Sequence, residues 1–220
     1  MDAQLILKFL QSLSRNNNRE WFEKNKEKYL AAKAEFDGFV ANLLNDLIDV
    51  DPALAGLNPK KLSFRIYRDV RFSKDKRPYK TNMGATFSAG GKLMQKPGFY
   101  LHLEPGGKSF LAAGLYMPEP ESLSKVRQEI DYNGEQLDKV LKGKKFRTLF
   151  GDLEDFDKLK TVPKGYSKEH PYAERLKLKS FIASATFTDA QVTASGFRRK
   201  VVEAAAVIKP LNDFLDQAIA

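Results

Sequence analysis

The stretch GFYLHLEPGGKSFLAAGLYM, residues 98–117, decides the fold. Residues 98–104 and 108–116 each alternate large apolar side chains with polar or small ones, which is the period of a β-strand that buries one face. The Pro-Gly-Gly segment between them suits a tight hairpin turn. We therefore predict two antiparallel strands here and build the sheet outward from them.

Strand-like runs also occur on both sides of this hairpin. We predict strands over 62–72 and 82–88 before it, and a further strand over 180–187 after it. The connections 73–81 and 89–97 are short enough for antiparallel neighbours. The expected sheet is an antiparallel meander of four to five strands.

Helical periodicity flanks the sheet region. Apolar residues recur at helical spacing over 3–48, and again over much of 119–220. Helices, then a sheet over 62–117, then helices predict an α+β fold whose helices pack on one face of the sheet. The length fits a single domain, residues 1–220.

Local signals place some of the helix boundaries. Asn17 with Glu20 three residues later resembles a capping box, so a second helix should begin there. Pro210 should kink or split the last helix. Segment 143–170 shows no clear period, and the sequence does not assign its structure.

Strand alternation divides the sheet residues between two faces. One face is apolar and should lie against the helices. The predicted core set on it is Leu62, Phe64, Ile66, Val70, Phe72, Met83, Ala85, Phe87, Phe99, Leu101, Leu103, Leu111, Ala113, Leu115 and Met117.

The opposite face should be open and polar, with a groove. Long polar side chains there stand above small residues, which leaves a depression of the kind that holds ligands. The alternative is an ordinary solvated sheet face. The long residues are Arg65, Tyr67, Arg71, Tyr100, His102 and Glu104, and the small ones are Gly84, Thr86, Ala112 and Gly114.

Positive charge is concentrated in one short segment. The chain carries a net charge of +9, and residues 61–80 hold eight Lys or Arg against two acids. Such a local excess indicates a site for an anionic partner. The predicted ligand-binding residues are Arg65, Tyr67, Arg68, Arg71, Lys74, Lys80 and Tyr100.

Arg68 breaks the strand alternation and would point into the apolar face. An unpaired arginine there would cost several kcal/mol. Either a β-bulge near Asp69 returns Arg68 to the open face, or a carboxylate meets it. The sequence leaves both alternatives open.

His102 and Glu104 are the candidate catalytic residues. They lie two apart on a predicted strand and therefore share a face. A histidine is suited to shuttle a proton, and a glutamate to assist it as partner or base. Two residues on one face need not touch, so binding is a firmer expectation than catalysis.

Several chemistries are excluded by composition or spacing. The chain has no cysteine and two histidines, so we expect no metal and no cofactor. The GGK at 90–92 lacks the spacing of a phosphate loop, and a turn explains it better. Trp21 at a helix start is more typical of core packing than of ligand stacking.

The location of the protein is expected to be cytoplasmic. The N-terminus is amphipathic with an acid at position 2, unlike a signal peptide. No apolar run approaches the ~20 residues of a membrane span. We therefore expect no membrane association.

Four segments together resemble an uncharacterised microbial family, domain of unknown function 2461. They are RNNNREWFEKNKEKY, FRIYRDVRFSKDKRPYKTN, GFYLHLEPGGKSFLAAGLYMPEPE and KPLNDFL, and the resemblance runs from about residue 5 to 217. It implies an intracellular single-domain protein of mixed α and β structure. It implies no activity and assigns no residue a role.

Three functions remain as hypotheses. The first is binding of a phosphorylated or carboxylated small molecule in the groove, with several arginines serving one anionic group and acid–base chemistry as an extension. The second is nucleic-acid binding by the basic segment 65–80 and its interleaved aromatic residues. The third is a protein-interaction module whose arginines only bind the chain's own acids.

Overall fold

The structure is a computed structural model, and it describes residues 1–92 and 95–220. Leu93 and Met94, within the predicted connection 89–97, lie outside the described residues. The chain forms two compact units, each built from separate stretches. Unit 1 comprises Met1–Phe87, Tyr100–Leu111 and Thr186–Val202, and unit 2 comprises Ser88–Phe99, Ala112–Ala185 and Glu203–Ala220. The prediction of a single domain stays a prediction beside this division.

One antiparallel sheet is present in the described part of the chain, with four strands in sequence order. The α+β fold and the meander are therefore confirmed. The strands are β1 (Met83–Phe87), β2 (Gly98–Leu103), β3 (Ser109–Leu115) and β4 (Phe181–Phe187).

The predicted strand over 62–72 is wrong. Only two isolated antiparallel bridges form there, Ser63 with Ala85 and Tyr67 with Tyr79. Between the two bridges lie three residues on one side, 64–66, and five on the other, 80–84, so the register shifts between them. A continuous ladder needs a constant register, and this segment therefore supplies extended chain rather than a strand.

The core prediction holds on β2 and fails at four positions, because Phe64 and Val70 are only half-buried and Phe72 and Met117 are exposed. Phe99, Leu101 and Leu103 are fully buried, as the alternation requires. Phe72 is 96% exposed, because it lies in a loop beyond the last bridge. Met117 is 65% exposed, since it follows the end of β3 at a turn with a positive φ of 44°.

The helices occupy the expected regions, and three details differ. The N-cap of the second helix is Asn18, which accepts a hydrogen bond from the Trp21 amide, rather than Asn17. A break at Asn25 divides the predicted long helix in two, and the last helix continues unsplit through Pro210. The helices are α1 (Ala3–Arg15), α2 (Arg19–Lys24), α3 (Lys26–Val50), α4 (Pro120–Lys142), α5 (Lys144–Phe150), α6 (Ala173–Leu176), α7 (Asp189–Thr193) and α8 (Phe197–Ile219).

Segment 143–170 begins with helix α5 and continues as loops and turns. Within residues 1–92 and 95–220, none of the helices combines the length and the apolar character that crossing a bilayer requires.

Candidate functional site

Strand β2 carries a chain of hydrogen bonds that we call the His102 chain: Thr81, Asn82, Tyr100, His102 and Glu104. His102 Nε2 lies 2.9 Å from Glu104 Oε2, and Thr81 donates to the other carboxylate oxygen at 3.1 Å. The Tyr100 hydroxyl and the Asn82 amide nitrogen lie 3.1 Å and 3.3 Å from His102 Nδ1. An amide donor beside Nδ1 makes that nitrogen an acceptor, so the imidazole proton is on Nε2 and donates to Glu104.

Aromatic rings cover this chain. The Phe110 ring stacks on His102, with centroids 4.6 Å apart and an angle of 13° between the planes. Phe64 meets Tyr100 edge-on at 6.0 Å. Gly84 leaves the space that Tyr100 occupies, because a Cβ on it would lie 2.6 Å from the Tyr100 hydroxyl. The predicted open face is therefore largely covered here, with 14% of the His102 side chain exposed.

Burial sets the protonation of both rings in the chain. It lowers the pKa of His102, and the neighbouring Glu104 only partly opposes this shift. Burial also raises the pKa of Tyr100 to about 12. At neutral pH the imidazole and the phenol are therefore both uncharged. Both ring nitrogens of His102 already have partners, so proton transfer to a ligand would require either Glu104, or both Tyr100 and Asn82, to move.

The predicted basic segment contains a self-paired loop, residues 69–77, which we call the arginine loop. Asp69 accepts from the Arg71 backbone amide at 3.2 Å, and from its guanidinium at 2.7 and 3.0 Å. Asp75 binds Arg77 in the same way, accepting a hydrogen bond from its backbone amide at 3.0 Å and from its guanidinium at 2.7 Å. Hydrogen bonds from these arginines lower the pKa of both carboxyl groups. Each Asp-x-Arg triplet thus neutralises its own cation.

Arg68 is met by a carboxylate, the second of the two alternatives left open by the sequence. Its Nη1 lies 2.6 Å from Asp75 Oδ2 and 3.2 Å from the Arg77 carbonyl oxygen. These contacts fix the guanidinium and hold the arginine loop against the chain that precedes it. Because Asp75 binds both Arg68 and Arg77, it is the centre of the loop.

The structure divides the predicted ligand-binding set into separate places. Arg71 turns toward Asp69 rather than toward Arg68. The Lys80 Nζ lies 5.2 Å from the centre of the Phe64 ring, on the side of the His102 chain. Its charge helps to lower the pKa of His102. Arg65 and Lys74 are exposed, and within the described residues neither forms an ion pair.

Tyr67 and Arg68, two of the predicted ligand-binding residues, line one cavity of about 350 Å³, which we call the Tyr67 cavity. It is an appropriate size for a small ligand. Sequence reasoning missed Arg19 and Glu23, because nothing in their spacing connects α2 to residues almost fifty positions later. The lining residues are Arg19, Glu23, Tyr67, Arg68, Val70, Pro78 and Tyr79.

Two contacts anchor this cavity to the N-terminal helices. Asn17 binds the Tyr79 backbone twice, accepting from its amide at 3.1 Å and donating to its carbonyl at 3.0 Å. The Phe22 ring stacks on Tyr79 with centroids 4.0 Å apart, and Tyr67 lies 5.4 Å from Tyr79. The wall of the cavity that Tyr67 and Tyr79 form is therefore held by the hydrogen bonds of Asn17 to the Tyr79 backbone and by ring packing.

Metal ligands do not cluster in the parts of the chain that are described. No group of three His, Asp or Glu side chains there has the arrangement of a cation site.

Comparison with known proteins gives a family and no further relative. No curated protein and no solved structure matches the chain. The model of one family, described as a conserved hypothetical protein (DUF2461), matches residues 5–214. The match includes the whole sheet, the His102 chain and the Tyr67 cavity. The chain therefore belongs to the conserved DUF2461 family.

Proposed function

We propose that the protein binds a small molecule carrying a phosphate or carboxylate group in the Tyr67 cavity. The observation that carries this proposal is the combination of Arg19 and Arg68 with Tyr67 and Tyr79 around one cavity. Guanidinium groups form forked hydrogen bonds to such oxyanions, and phenols supply both a donor and ring surface.

The two arginines suit different parts of this role. Arg68 is pre-oriented by Asp75 and the Arg77 carbonyl, so little side-chain entropy is lost when a ligand binds beside it. Arg19 is exposed at the first residue of α2 and forms no ion pair within the described residues. It is therefore the cation with the most unused hydrogen-bonding capacity in the cavity.

Binding is better supported than catalysis. The candidate acid and base, His102 and Glu104, already bind each other, and the Phe110 ring stacks on His102. A substrate would have to displace a hydrogen bond within the His102 chain before it could exchange a proton there. We therefore propose a binding role without assigning a reaction.

The test replaces Arg19 by methionine, which keeps much of the apolar stem and removes the charge. Phosphate- and carboxylate-bearing compounds are screened by thermal shift on the wild type, and hits are measured by calorimetry on the variant. We expect a loss of about 1.5–3 kcal/mol of binding free energy, the range for hydrogen bonds to charged groups. Lys108→Met, on an exposed turn, is the matched control and should bind as the wild type does. Equal affinities for Arg19→Met and Lys108→Met would reject the Tyr67 cavity.

One observation favours nucleic-acid binding as a second candidate. Phe72 is 96% exposed at the tip of the arginine loop, and the Arg71 guanidinium lies 5.8 Å from its ring. An exposed ring beside cations can stack on an unpaired base. The exposed Lys74 and Lys76 would add contacts to phosphates.

This second candidate has its own test. Single-stranded oligonucleotides are titrated at rising salt by fluorescence anisotropy, and Phe72→Ser is compared with wild type. Binding through the loop should weaken steeply with salt and lose about 1–3 kcal/mol in the variant. Affinity that is unaffected by Phe72→Ser would exclude the loop as the nucleic-acid contact.

The arginines that pair with the chain's own aspartates are what the third hypothesis, a protein-interaction module, expects.

A further inference from the structure

A second cavity, separate from the Tyr67 cavity, lies between helix α1 and the start of α3. We call it the Trp21 groove. Its volume is about 450 Å³, and none of the described residues lines both this groove and the Tyr67 cavity. Residues spaced by three or four positions on each helix form its walls, which is how facing helix surfaces make a groove. The lining residues used below are Lys8, Arg15, Asn16, Trp21, Asn25 and Lys28.

Among the residues that the structure describes, three cations and no carboxylate line the groove. Lys8 and Arg15 belong to the α1 wall, and Lys28 belongs to the α3 wall. Within the described parts of the chain none of the three forms an ion pair. Like charges around a concave surface raise the local positive potential and attract a counter-anion.

Other lysines nearby do not share this property. Lys24 pairs with Glu20 at 2.8 Å, and Lys26 pairs with Glu23 at 3.2 Å. Lysines on α2 and α3 therefore commonly have an acid one turn away. The lysines and the arginine of the Trp21 groove depart from that pattern, so their charge is available to a ligand.

An aromatic ring lies beside these cations. Trp21 is half-buried and lines the groove, and its ring lies 6.2 Å from that of the buried Phe9. The sequence predicted a core role for Trp21, and the structure gives it a surface on the groove as well. Ring surface next to positive charge suits a ligand that is both aromatic and anionic.

Asn25 fixes the geometry of this wall. Its amide donates to the Trp21 carbonyl at 2.9 Å, and its side-chain oxygen accepts from the Lys28 ammonium at 3.0 Å. One side chain thus links the ring-bearing residue to a cation of the site. On the opposite helix the Asn16 amide donates to the Ser12 carbonyl at 3.0 Å.

From the cations, the ring and the volume together, we propose that the Trp21 groove is a second ligand site, for a small aromatic anion. A nucleoside monophosphate has this chemistry, with a flat ring for Trp21 and a phosphate for the lysines and arginine. The site is independent of the proposed function and would stand if the Tyr67 cavity binds nothing.

The single tryptophan of the chain makes the proposal directly measurable. Adenosine 5′-monophosphate is titrated while Trp21 fluorescence is recorded, with excitation at wavelengths that tyrosine does not absorb. Adenosine and inorganic phosphate are titrated separately as the ring and the charge alone. We expect saturable quenching by the monophosphate, with at least about tenfold weaker binding of either part. Equal affinities for adenosine and its monophosphate would overturn the anion site.

Charge variants give a second readout, by calorimetry. The double variant Lys8→Gln/Lys28→Gln, and separately Arg15→Gln, should weaken binding of the monophosphate about tenfold or more, while circular dichroism shows an intact fold. Lys24→Gln removes one charge, as Arg15→Gln does, but at a lysine paired with Glu20, and should stay within about twofold of wild type. Unchanged affinity in the folded groove variants would overturn the proposal. So would a single-stranded oligonucleotide that binds many hundredfold more tightly than the mononucleotide, because the groove would then be part of a polynucleotide track.

Discussion

The His102 chain and the arginine loop are both polar, yet they are built in opposite ways. The strand period of β2 places Tyr100 and His102 on one face, Glu104 follows just after the strand, and rings cover Tyr100 and His102. In the arginine loop no strand forms, and each aspartate binds the arginine two residues later. The first cluster is largely covered and depends on long-range packing, whereas the second is exposed and local.

This difference shows where polar residues contribute to the fold. A buried polar chain is costly to break, because each member loses a partner that water cannot replace. An exposed ion pair contributes little, because water and salt screen it. We therefore expect substitutions in the His102 chain to affect stability and substitutions in the arginine loop to leave it nearly unchanged.

The largest effect is expected from His102→Leu. The leucine leaves the Glu104 carboxylate and the Tyr100 hydroxyl without their shared partner beneath the Phe110 ring. We expect a loss of about 3 kcal/mol in the free energy of unfolding, measured by a urea melt. A loss below about 1 kcal/mol would mean that water reaches these groups and replaces the lost hydrogen bonds.

Gly84→Ala should have the next largest effect. Its new Cβ would lie 2.6 Å from the Tyr100 hydroxyl and 3.0 Å from two ring carbons, so the ring must move and its bond to His102 must lengthen. We expect a loss of about 1–3 kcal/mol, the range for overpacking. Gly56→Ala would be a poor control because of its positive φ, whereas Gly38→Ala has open space on α3 and should not destabilise the protein.

The pH dependence of stability should identify His102. Its folded pKa is lowered by burial, so the unfolded chain binds this proton more readily than the folded one. The contribution of His102 to stability should therefore be fully present above the ordinary histidine pKa of 6.5, and it should be lost as the pH drops from there toward the lower pKa of the folded protein. His102→Gln should flatten this part of a stability–pH curve. An unchanged slope in His102→Gln would show that other groups cause the acid loss.

The smallest effects are expected in and beside the arginine loop. Phe72→Ser and Arg65→Met alter exposed side chains outside the core. Both should unfold within about 0.5 kcal/mol of the wild type in urea. A loss comparable to that of His102→Leu would show that the loop packs against the protein in solution, and the contrast between the two regions would fail.

The sequence predicted the parts of the structure that depend on regular periods. Alternation placed Leu101 in the core and His102 beside Glu104, and the turn at 105–107 predicted the neighbouring strands β2 and β3. Alternation alone also predicted one strand that does not form. Residues 62–72 alternate as a strand does, but their two bridges differ in register, and register depends on distant partners.

The candidate site was only partly predictable for the same reason. Alternation predicts Tyr67 and local charge predicts Arg68, whereas Arg19 reaches the same cavity from α2, and only the folded chain shows this. The Asp-x-Arg pairing was visible in the sequence, at Asp69 and at Asp75. A count of charges alone predicts an excess of cations there, because it leaves out the local hydrogen bonds that neutralise two arginines.

The central claim is that the Tyr67 cavity binds an anion, and the most direct test is to locate a bound anion in crystals of the protein. Crystals would be soaked in tungstate, a phosphate mimic whose metal atom gives an anomalous signal, for the wild type and for Arg19→Met. We expect a peak between Arg19 and Arg68 in the Tyr67 cavity of the wild type, and its loss in the variant. A peak confined to the Trp21 groove, or one beside Arg68 that persists in Arg19→Met, would contradict the proposed binding site.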